Sequence, residues 1–255
     1  MKKTIFITVR TGSSRLPQKA LLEINGKKTI QFVIERAKKT EADLIVLCTT
    51  ILPEDEDLCN IAKQNGIKSF QGSVEDKLVR WRDAANKFNV EFFVTMDGDD
   101  LFIEPKMTNK AFYQHENFWK QNTDFIQGPE NLVVGSFGFG ISKRALDKVC
   151  EIKNTKDTEM MWEYFTKTNL FNVKDLLVHS EELKNKQIRM TLDYPEDLEF
   201  FTQVDNHFQF QNKTEYNNWD IVAFCAEHPE IPQINWFRTK EWKENQIKKT
   251  KLLIK

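Results

Sequence analysis

Residues 10–19 carry the types of side chain that a polyphosphate site requires. Three cations, Arg10, Arg15 and Lys19, are interleaved with a glycine and hydroxyl residues directly after an apolar run at 4–9. That run predicts a buried first strand, and in open α/β sheets ligands bind beyond the carboxyl ends of strands. Backbone N–H groups together with Arg and Lys side chains suit phosphate oxygens. We therefore predict a triphosphate site and a nucleotide-using enzyme.

An acidic cluster, Asp-Gly-Asp-Asp at 97–100, follows another predicted strand at 92–96. Its carboxylates are expected at the same edge of the sheet as the basic loop. Mg²⁺ prefers one or two carboxylates combined with phosphate oxygens and water, and nucleotidyl transfer needs a metal that bridges phosphates. An acidic turn, in which Asp-Gly is common, explains the cluster equally well.

Asp193 is the candidate for a second metal carboxylate because it ends a predicted strand at 187–192 and precedes a predicted helix at 195–204. Glu196 and Asp197 are assigned a structural role, since carboxylates complement the N-terminus of a helix.

The first half of the chain alternates segments typical of strands and helices, which predicts a parallel sheet flanked by helices. The predicted strands there are 4–9, 44–49, 68–71 and 91–96, and the predicted helices are 29–39, 55–65 (ending at Gly66) and 74–87. The second half is less regular. Its predicted helices are 107–120, 143–152 (capped by Ser142) and 195–204, and its predicted strands are 132–140, with three spaced glycines, and 187–192. We predict one α/β domain over 1–255, with a nucleotide-binding half at 1–105 and an acceptor-binding and dimerisation half at 106–255.

Composition narrows the class of protein. The 255 residues are 40% hydrophobic and include 20 Phe, while the formal net charge is −1. This balance gives no support for a nucleic-acid or membrane partner. The four cysteines are scattered without a CxxC pair, which suits a reduced, cytoplasmic protein. Arg10 interrupts the first apolar run too early for a signal peptide, and no apolar stretch is long enough to span a bilayer. The four histidines are isolated, and we expect Trp219, Trp236 and Trp242 to be core or dimer-interface residues.

The motifs together resemble the cytidylyltransferase family, which includes 3-deoxy-manno-octulosonate and acylneuraminate cytidylyltransferases and the SpsF-like branch. Residues 10–19 resemble its RxGSxRLPxK signature. Four shorter segments keep the family's order: 24–28 ("INGKP"), 72–81 ("G…dvLxRy"), 97–105 ("tGDcPlidP") and 191–199 ("TxDxPEDLE"). The resemblance spans roughly residues 4–205.

The resemblance implies a Rossmann-like, three-layer nucleotide-diphospho-sugar transferase fold, CTP as donor, Mg²⁺ as cofactor and a homodimer. Arg10, Arg15 and Lys19 would hold the triphosphate, and Asp99 and Asp193 would bind the metal. The remaining residues implied near the nucleotide are Val9, Thr11, Gly12, Ser13, Ser14, Gly72 and Arg80. Arg189 and Ser136 are assigned to the substrate.

This chain departs from the family pattern around the acidic cluster. Asp97 replaces a neutral polar residue, Asp100 and Leu101 replace Cys-Pro or Glu-Pro, and Thr95 replaces an Arg of the SpsF-like branch. These changes imply either a different metal arrangement or an acceptor less anionic than a keto-sugar acid.

The predicted function is Mg²⁺-dependent transfer of CMP from CTP to a sugar acid, a phosphorylated sugar or a related small metabolite. Pyrophosphate is released, and the product would serve surface-polysaccharide synthesis. Two alternatives stay open. Asp97-Gly98-Asp99 also matches the DxD motif of glycosyltransferases that use nucleotide sugars, and the altered 97–101 segment also suits a catalytically degenerate nucleotide-binding protein.

Overall fold

The computed structural model describes every residue except 120–121, 159, 179–180, 185 and 250–251. The strands of the described part are β1 (Thr4–Thr8), β2 (Glu23–Ile24), β3 (Lys27–Lys28), β4 (Leu44–Thr50), β5 (Lys68–Gly72), β6 (Phe92–Asp97), β7 (Phe125–Gln127), β8 (Gly140–Ser142) and β9 (Val173–Asp175). Its α-helices are α1 (Thr29–Lys38), α2 (Glu56–Gln64), α3 (Lys77–Phe88), α4 (Pro105–Gln114), α5 (Lys143–Ile152), α6 (Trp162–Thr166), α7 (Pro195–Phe210), α8 (Asn218–Glu227), α9 (Glu230–Trp236) and α10 (Arg238–Lys249). None of these helices combines the length and apolar character needed to cross a membrane.

Seven strands form one sheet in the order β5-β4-β1-β6-β8-β7-β9. The first four are parallel, so their carboxyl ends meet at one edge. β8 runs antiparallel to both β6 and β7, and β9 is parallel to β7. The predicted α/β fold with a mostly parallel sheet is confirmed.

Burial on both faces explains why the central strands are continuous apolar runs. Along β1, Ile5 and Ile7 belong to one hydrophobic cluster, whereas Phe6 belongs to another. Successive side chains of a strand point to opposite faces, so helices must cover both faces of the sheet. Cys48 on β4 is a buried free thiol.

Local capping signals set several helix boundaries, and two of these boundaries differ from the predicted ones. Ser142 caps α5 by accepting a hydrogen bond from the backbone N of Ala145 at 3.2 Å. Gly66 lies just after α2 with φ +70°, the conformation typical of a glycine that ends a helix. α3 begins three residues later than predicted because Asp76 caps it through the backbone N of Val79. α4 ends at Gln114 and is followed by a π-helical turn, His115–Trp119, while the predicted end at residue 120 lies outside the described residues.

Two predicted strands are wrong. Residues 132–140 and 187–192 are irregular and meet through one parallel bridge, Val134 to Arg189, and only Gly140 belongs to a strand. Glycines bring these irregular segments unusually close to the backbone of neighbouring segments. A Cβ at Gly135 would lie 1.9 Å from the carbonyl oxygen of Met190, and one at Gly138 would lie 2.1 Å from that of Thr95. The close approach that these glycines permit is therefore to the protein's own chain.

Candidate functional site

The loop after β1 is held at its start by Asp55. The Asp55 carboxylate accepts hydrogen bonds from the backbone N and Oγ1 of Thr11 at 2.7 and 2.6 Å, and from Thr49 Oγ1 at 2.9 Å. Burial opposes ionisation of Asp55, but the hydrogen bonds from Thr11 and Thr50 outweigh it and lower its pKa. A buried carboxylate that the sequence analysis missed therefore fixes the path of the loop.

Lys19 joins the loop to two distant aspartates. Its Nζ donates to Asp99 Oδ2 at 2.6 Å, to the carbonyl oxygen of Leu192 at 2.7 Å and to Asp193 Oδ1 at 2.9 Å. Burial alone would lower the pKa of Lys19, but the two carboxylates outweigh it and raise the pKa. The ammonium is therefore charged at neutral pH, and it lies where the two carboxylates converge.

Asp193 lies among three cations. Its Oδ1 also accepts from Arg15 Nη2 at 2.5 Å, and its Oδ2 accepts from Arg189 Nη2 at 3.1 Å. Burial of Asp193 opposes its charge, yet Lys19 and Arg15 lower its pKa well below the ordinary value. Asp193 is thus an ionised carboxylate with only 3% of its side chain exposed.

The buried Asp197 carboxylate binds both the backbone of Asp193 and the side chain of Arg189. It accepts from Arg189 Nε at 3.0 Å, from the backbone N of Asp193 at 2.8 Å and from the backbone N of Tyr194 at 2.9 Å. Asn235 Nδ2 adds a further bond at 2.9 Å. Asp197 does cap α7 as predicted, and it also forms a buried ion pair that the sequence analysis missed.

The acidic cluster is divided between two lysines. Asp97 Oδ1 accepts from Lys77 Nζ at 2.9 Å, whereas Asp99 binds Lys19. The extra carboxylate at 97 is thereby balanced by a cation on α3. Burial, and then repulsion from Asp99 and Asp97, raises the pKa of Asp100 well above its ordinary value, and burial and neighbouring carboxylates also raise the pKa of Asp99.

The surroundings of Thr95 explain why an arginine is absent at this position. It is buried, and its Oγ1 accepts from the backbone N of Phe139 at 2.9 Å. Gly138 packs against the same residue, so no arginine side chain fits at position 95 without moving that segment.

These groups surround a cavity of about 860 Å³ at the carboxyl edge of the parallel strands. We call the lining residues within 8–20 and 74–80 the basic side, and the lining residues within 128–139, 157, 160–162 and 242–246 the apolar side. The acidic residues within 97–100 and Asp193 also line the cavity.

Ten of the predicted site residues line the cavity: Val9, Arg10, Gly12, Ser13, Ser14, Arg15, Lys19, Arg80, Asp99 and Asp193. Four do not line it. Thr11 is buried against Asp55, and Gly72 ends β5 against Arg80. Ser136 is fully buried, and Arg189 lies beneath Asp193 with 1% of its side chain exposed. Ser136 and Arg189 are therefore not placed to touch a substrate in the cavity.

Lys77 and Trp242 are among the lining residues that the sequence analysis missed. Lys77 lies one helical turn before Arg80 on α3, a spacing that the sequence offered as a signal. Trp242 was expected in the core or at a dimer interface, but it lines the cavity instead. No local pattern marks that position, because it depends on where α10 packs.

The donor set suits Mg²⁺ only with help from a substrate. Among the described residues there is no group of three or more His, Cys, Asp or Glu side chains that could hold a metal. Asp99 and Asp193 nevertheless direct one oxygen each at a single cation, Lys19 Nζ. Two hard carboxylates fit Mg²⁺ when phosphate oxygens and water complete its six ligands.

A mostly parallel sheet, with paired cations and carboxylates at its carboxyl edge, defines a nucleotidyltransferase-like α/β protein. The cytidylyltransferase family model matches residues 4–225, and the chain belongs to that family. The resemblance seen in the motifs is confirmed.

Relatives cover most of the chain. The uncharacterized protein MJ1063 of Methanocaldococcus jannaschii is 30% identical over 250 residues, 96% of this chain and 99% of that protein. The spore coat polysaccharide biosynthesis protein SpsF of Bacillus subtilis is 22% identical over 76% of this chain and 82% of its own length. The 8-amino-3,8-dideoxy-manno-octulosonate cytidylyltransferase of Shewanella frigidimarina is 26% identical over 91% of this chain and 94% of its own length.

A solved structure shows the same fold. The cytidylyltransferase from Leptospira borgpetersenii superposes with a TM-score of 0.81 over 91% of this chain and 97% of that chain, at 24% identity.

Proposed function

We propose that the protein transfers CMP from CTP to a sugar acid, a phosphorylated sugar or a related small acceptor. An acceptor oxygen attacks the α-phosphorus of CTP, and the bond from that phosphorus to the bridging oxygen of the β-phosphate breaks. Pyrophosphate leaves with the bonding electrons, and the acceptor proton passes to water. No covalent intermediate with the protein is required.

The convergence of Lys19 and Arg15 on Asp193 carries the proposal. These cations lie at the edge of the cavity where a leaving pyrophosphate would gain negative charge, and they are already oriented by Asp99 and Asp193. Preoriented cations stabilise developing charge without reorganising during the reaction. Arg10 and Arg80 add positive charge on the same side.

Val9, Gly12, Ser13 and Ser14 are proposed to contact the nucleotide, because they line the basic side. Thr11 and Gly72 are proposed to support those contacts through Asp55 and Arg80.

Asp99 and Asp193 would hold Mg²⁺ together with phosphate oxygens of CTP. The metal would neutralise the triphosphate and strengthen pyrophosphate as a leaving group.

The DxD alternative gains no support from the site. Asp97 binds Lys77 and Asp99 binds Lys19, so the two carboxylates of the motif serve different cations. Measuring pyrophosphate release by the wild-type protein decides the alternative of a catalytically degenerate nucleotide-binding protein.

We further propose a cytoplasmic homodimer that forms through residues 106–255 and serves surface-polysaccharide synthesis, as the family resemblance implies. Light scattering of the purified chain tests the dimer, and a monomer at all concentrations contradicts it.

The decisive experiment combines binding with turnover. Thermal shifts with each of the four nucleoside triphosphates, with and without Mg²⁺, should show stabilisation by CTP. Pyrophosphate release should then follow with an acidic or phosphorylated sugar. Lys19→Ala and Asp99→Asn should each lower kcat about 100- to 1,000-fold because each removes charge at the reacting phosphates.

Lys27→Ala is the matched control, because Lys27 forms an exposed pair with Glu35 away from the cavity. Full activity in Lys19→Ala or Asp99→Asn would refute the assigned roles. CTP binding without turnover by the wild-type protein, with every acceptor tested, would favour the degenerate protein.

A further inference from the structure

α10 lies beyond the part of the chain that the family model matches, yet it contributes to the cavity. The match ends at residue 225, and α10 spans Arg238–Lys249. Trp242 and Gln246, four residues apart on one face of the helix, both line the cavity. An element outside the matched family region therefore forms part of the candidate site.

Side chains attach α10 to the start of α7, directly after Asp193. Arg238 Nη2 and Nε donate to the Glu196 carboxylate at 2.8 and 3.1 Å, and the guanidinium lies 4.9 Å from the centroid of the Tyr194 ring. Asn245 Nδ2 also donates to Tyr194 Oη at 3.3 Å.

The described residues after α10 also bond to another part of the chain. Ile254 pairs with Lys153 in an antiparallel bridge, and the backbone N of Asn154 donates to the carbonyl oxygen of Leu253 at 2.7 Å.

Trp242 lies close to Arg189, which binds Asp193. The Arg189 guanidinium lies 5.0 Å from the centroid of its ring, and Arg189 in turn binds Asp193 at 3.1 Å. The indole is only partly buried, so it covers Arg189 and also presents surface to the cavity.

The other residues of the apolar side are also mostly uncharged. Its other large side chains are Phe137, Phe139, Met160, Met161 and Trp162. Asp157 is its only charged member among the described lining residues, and every described lining Lys or Arg belongs to the basic side. This side fits an uncharged part of a ligand that carries an apolar face.

We propose that Trp242 is a specificity-determining residue for the acceptor, and that its indole packs against the apolar C–H face of a sugar-like ring. The reacting oxygen of that ring then points toward Asp99 and Asp193. Flat aromatic surface with few polar groups is a common way to hold and orient a small ligand. The inference rests on the proposed CMP transfer, and it assigns acceptor choice to a helix outside the matched region.

The test measures pyrophosphate release with CTP and Mg²⁺ for three probes: 3-deoxy-manno-octulosonate, its 8-amino-3,8-dideoxy form and glucose 1-phosphate. With the probe that reacts, Trp242→Ala should raise the KM for the acceptor about tenfold, because aromatic packing is lost. The KM for CTP should stay unchanged, and Trp242→Phe should restore most of the acceptor affinity. Trp236→Ala is the matched control, since Trp236 lies on α9, also beyond residue 225, but does not line the cavity.

Any of three results would overturn the proposal: an acceptor KM that stays unchanged in Trp242→Ala, a KM for CTP that rises equally, or a fall in kcat alone. The last result would make Trp242 a positioning residue for Arg189. Failure of all three probes with the wild-type protein also counts against a sugar-like acceptor. Thermal stabilisation by CTP then shows whether the nucleotide site still stands, which separates this failure from that of the proposed function.

Discussion

The basic and apolar sides of the cavity are built by different physical means. The basic side depends on charge: Lys19 and Arg15 are both fixed by the ionised carboxylate of Asp193, and Asp193 is fixed in turn by Arg189 and Asp197. The apolar side depends on shape, because glycines let irregular segments approach other backbone closely. The comparison teaches that the basic side is built by specific ion pairs, whereas the apolar side is shaped by close contacts between backbone segments.

The largest expected effect comes from removing the support beneath the basic side. Asp197→Ala should lower the free energy of unfolding by about 3–5 kcal/mol, because it leaves Arg189 buried with one carboxylate partner fewer. The measurement is urea denaturation at neutral pH. Asp197→Asn, which keeps part of the hydrogen bonding, should lose less.

Glu196→Ala is the control for that change, since its pair with Arg238 is partly exposed and should contribute below about 1 kcal/mol. A loss in Asp197→Ala no larger than in Glu196→Ala would contradict the account of a charge-built side.

A smaller effect should come from crowding the apolar side. Gly138→Ala should destabilise the protein by about 1–3 kcal/mol, because the new Cβ would lie 2.1 Å from the carbonyl oxygen of Thr95. Thermal unfolding measures this loss. Gly128→Ala is the matched control on the same side, where the added Cβ would meet the end of the Leu132 side chain at 3.2 Å. Equal stability of the two variants would show that the close approach is not needed.

The smallest expected effect is the pH dependence contributed by Asp55. Its pKa in the folded protein is lowered, so its contribution to stability is present above the ordinary value of about 3.9 and is lost as the pH falls through the folded pKa. The unfolding free energy of the wild type relative to Asp55→Asn should therefore shrink from pH 6 toward pH 3. A difference that stays constant over this range would mean that the hydrogen bonds from Thr11 do not favour the ionised form.

Much of the first half could be predicted because its signals are local. Apolar runs mark β1, β4 and β6, and the intervening helices have one apolar side, so a parallel sheet followed from periodicity alone. The segments 132–140 and 187–192 could not be predicted in the same way. They look like strands because they are apolar, but they are buried by contacts between backbones that only glycine permits.

The sequence by itself determined the chemistry of the protein: the cations of 10–19, the carboxylates at 97–100 and 193, and the family to which their order belongs. Only the tertiary structure decided which of them meet. Lys19 and Asp193 are 174 residues apart in the chain yet 2.9 Å apart in space, and Arg189 and Trp242 exchanged their expected places, one beneath the site and the other in its lining. The physical reason is that propensity and periodicity act over a few residues, whereas an ion pair across a sheet edge depends on how the whole core packs.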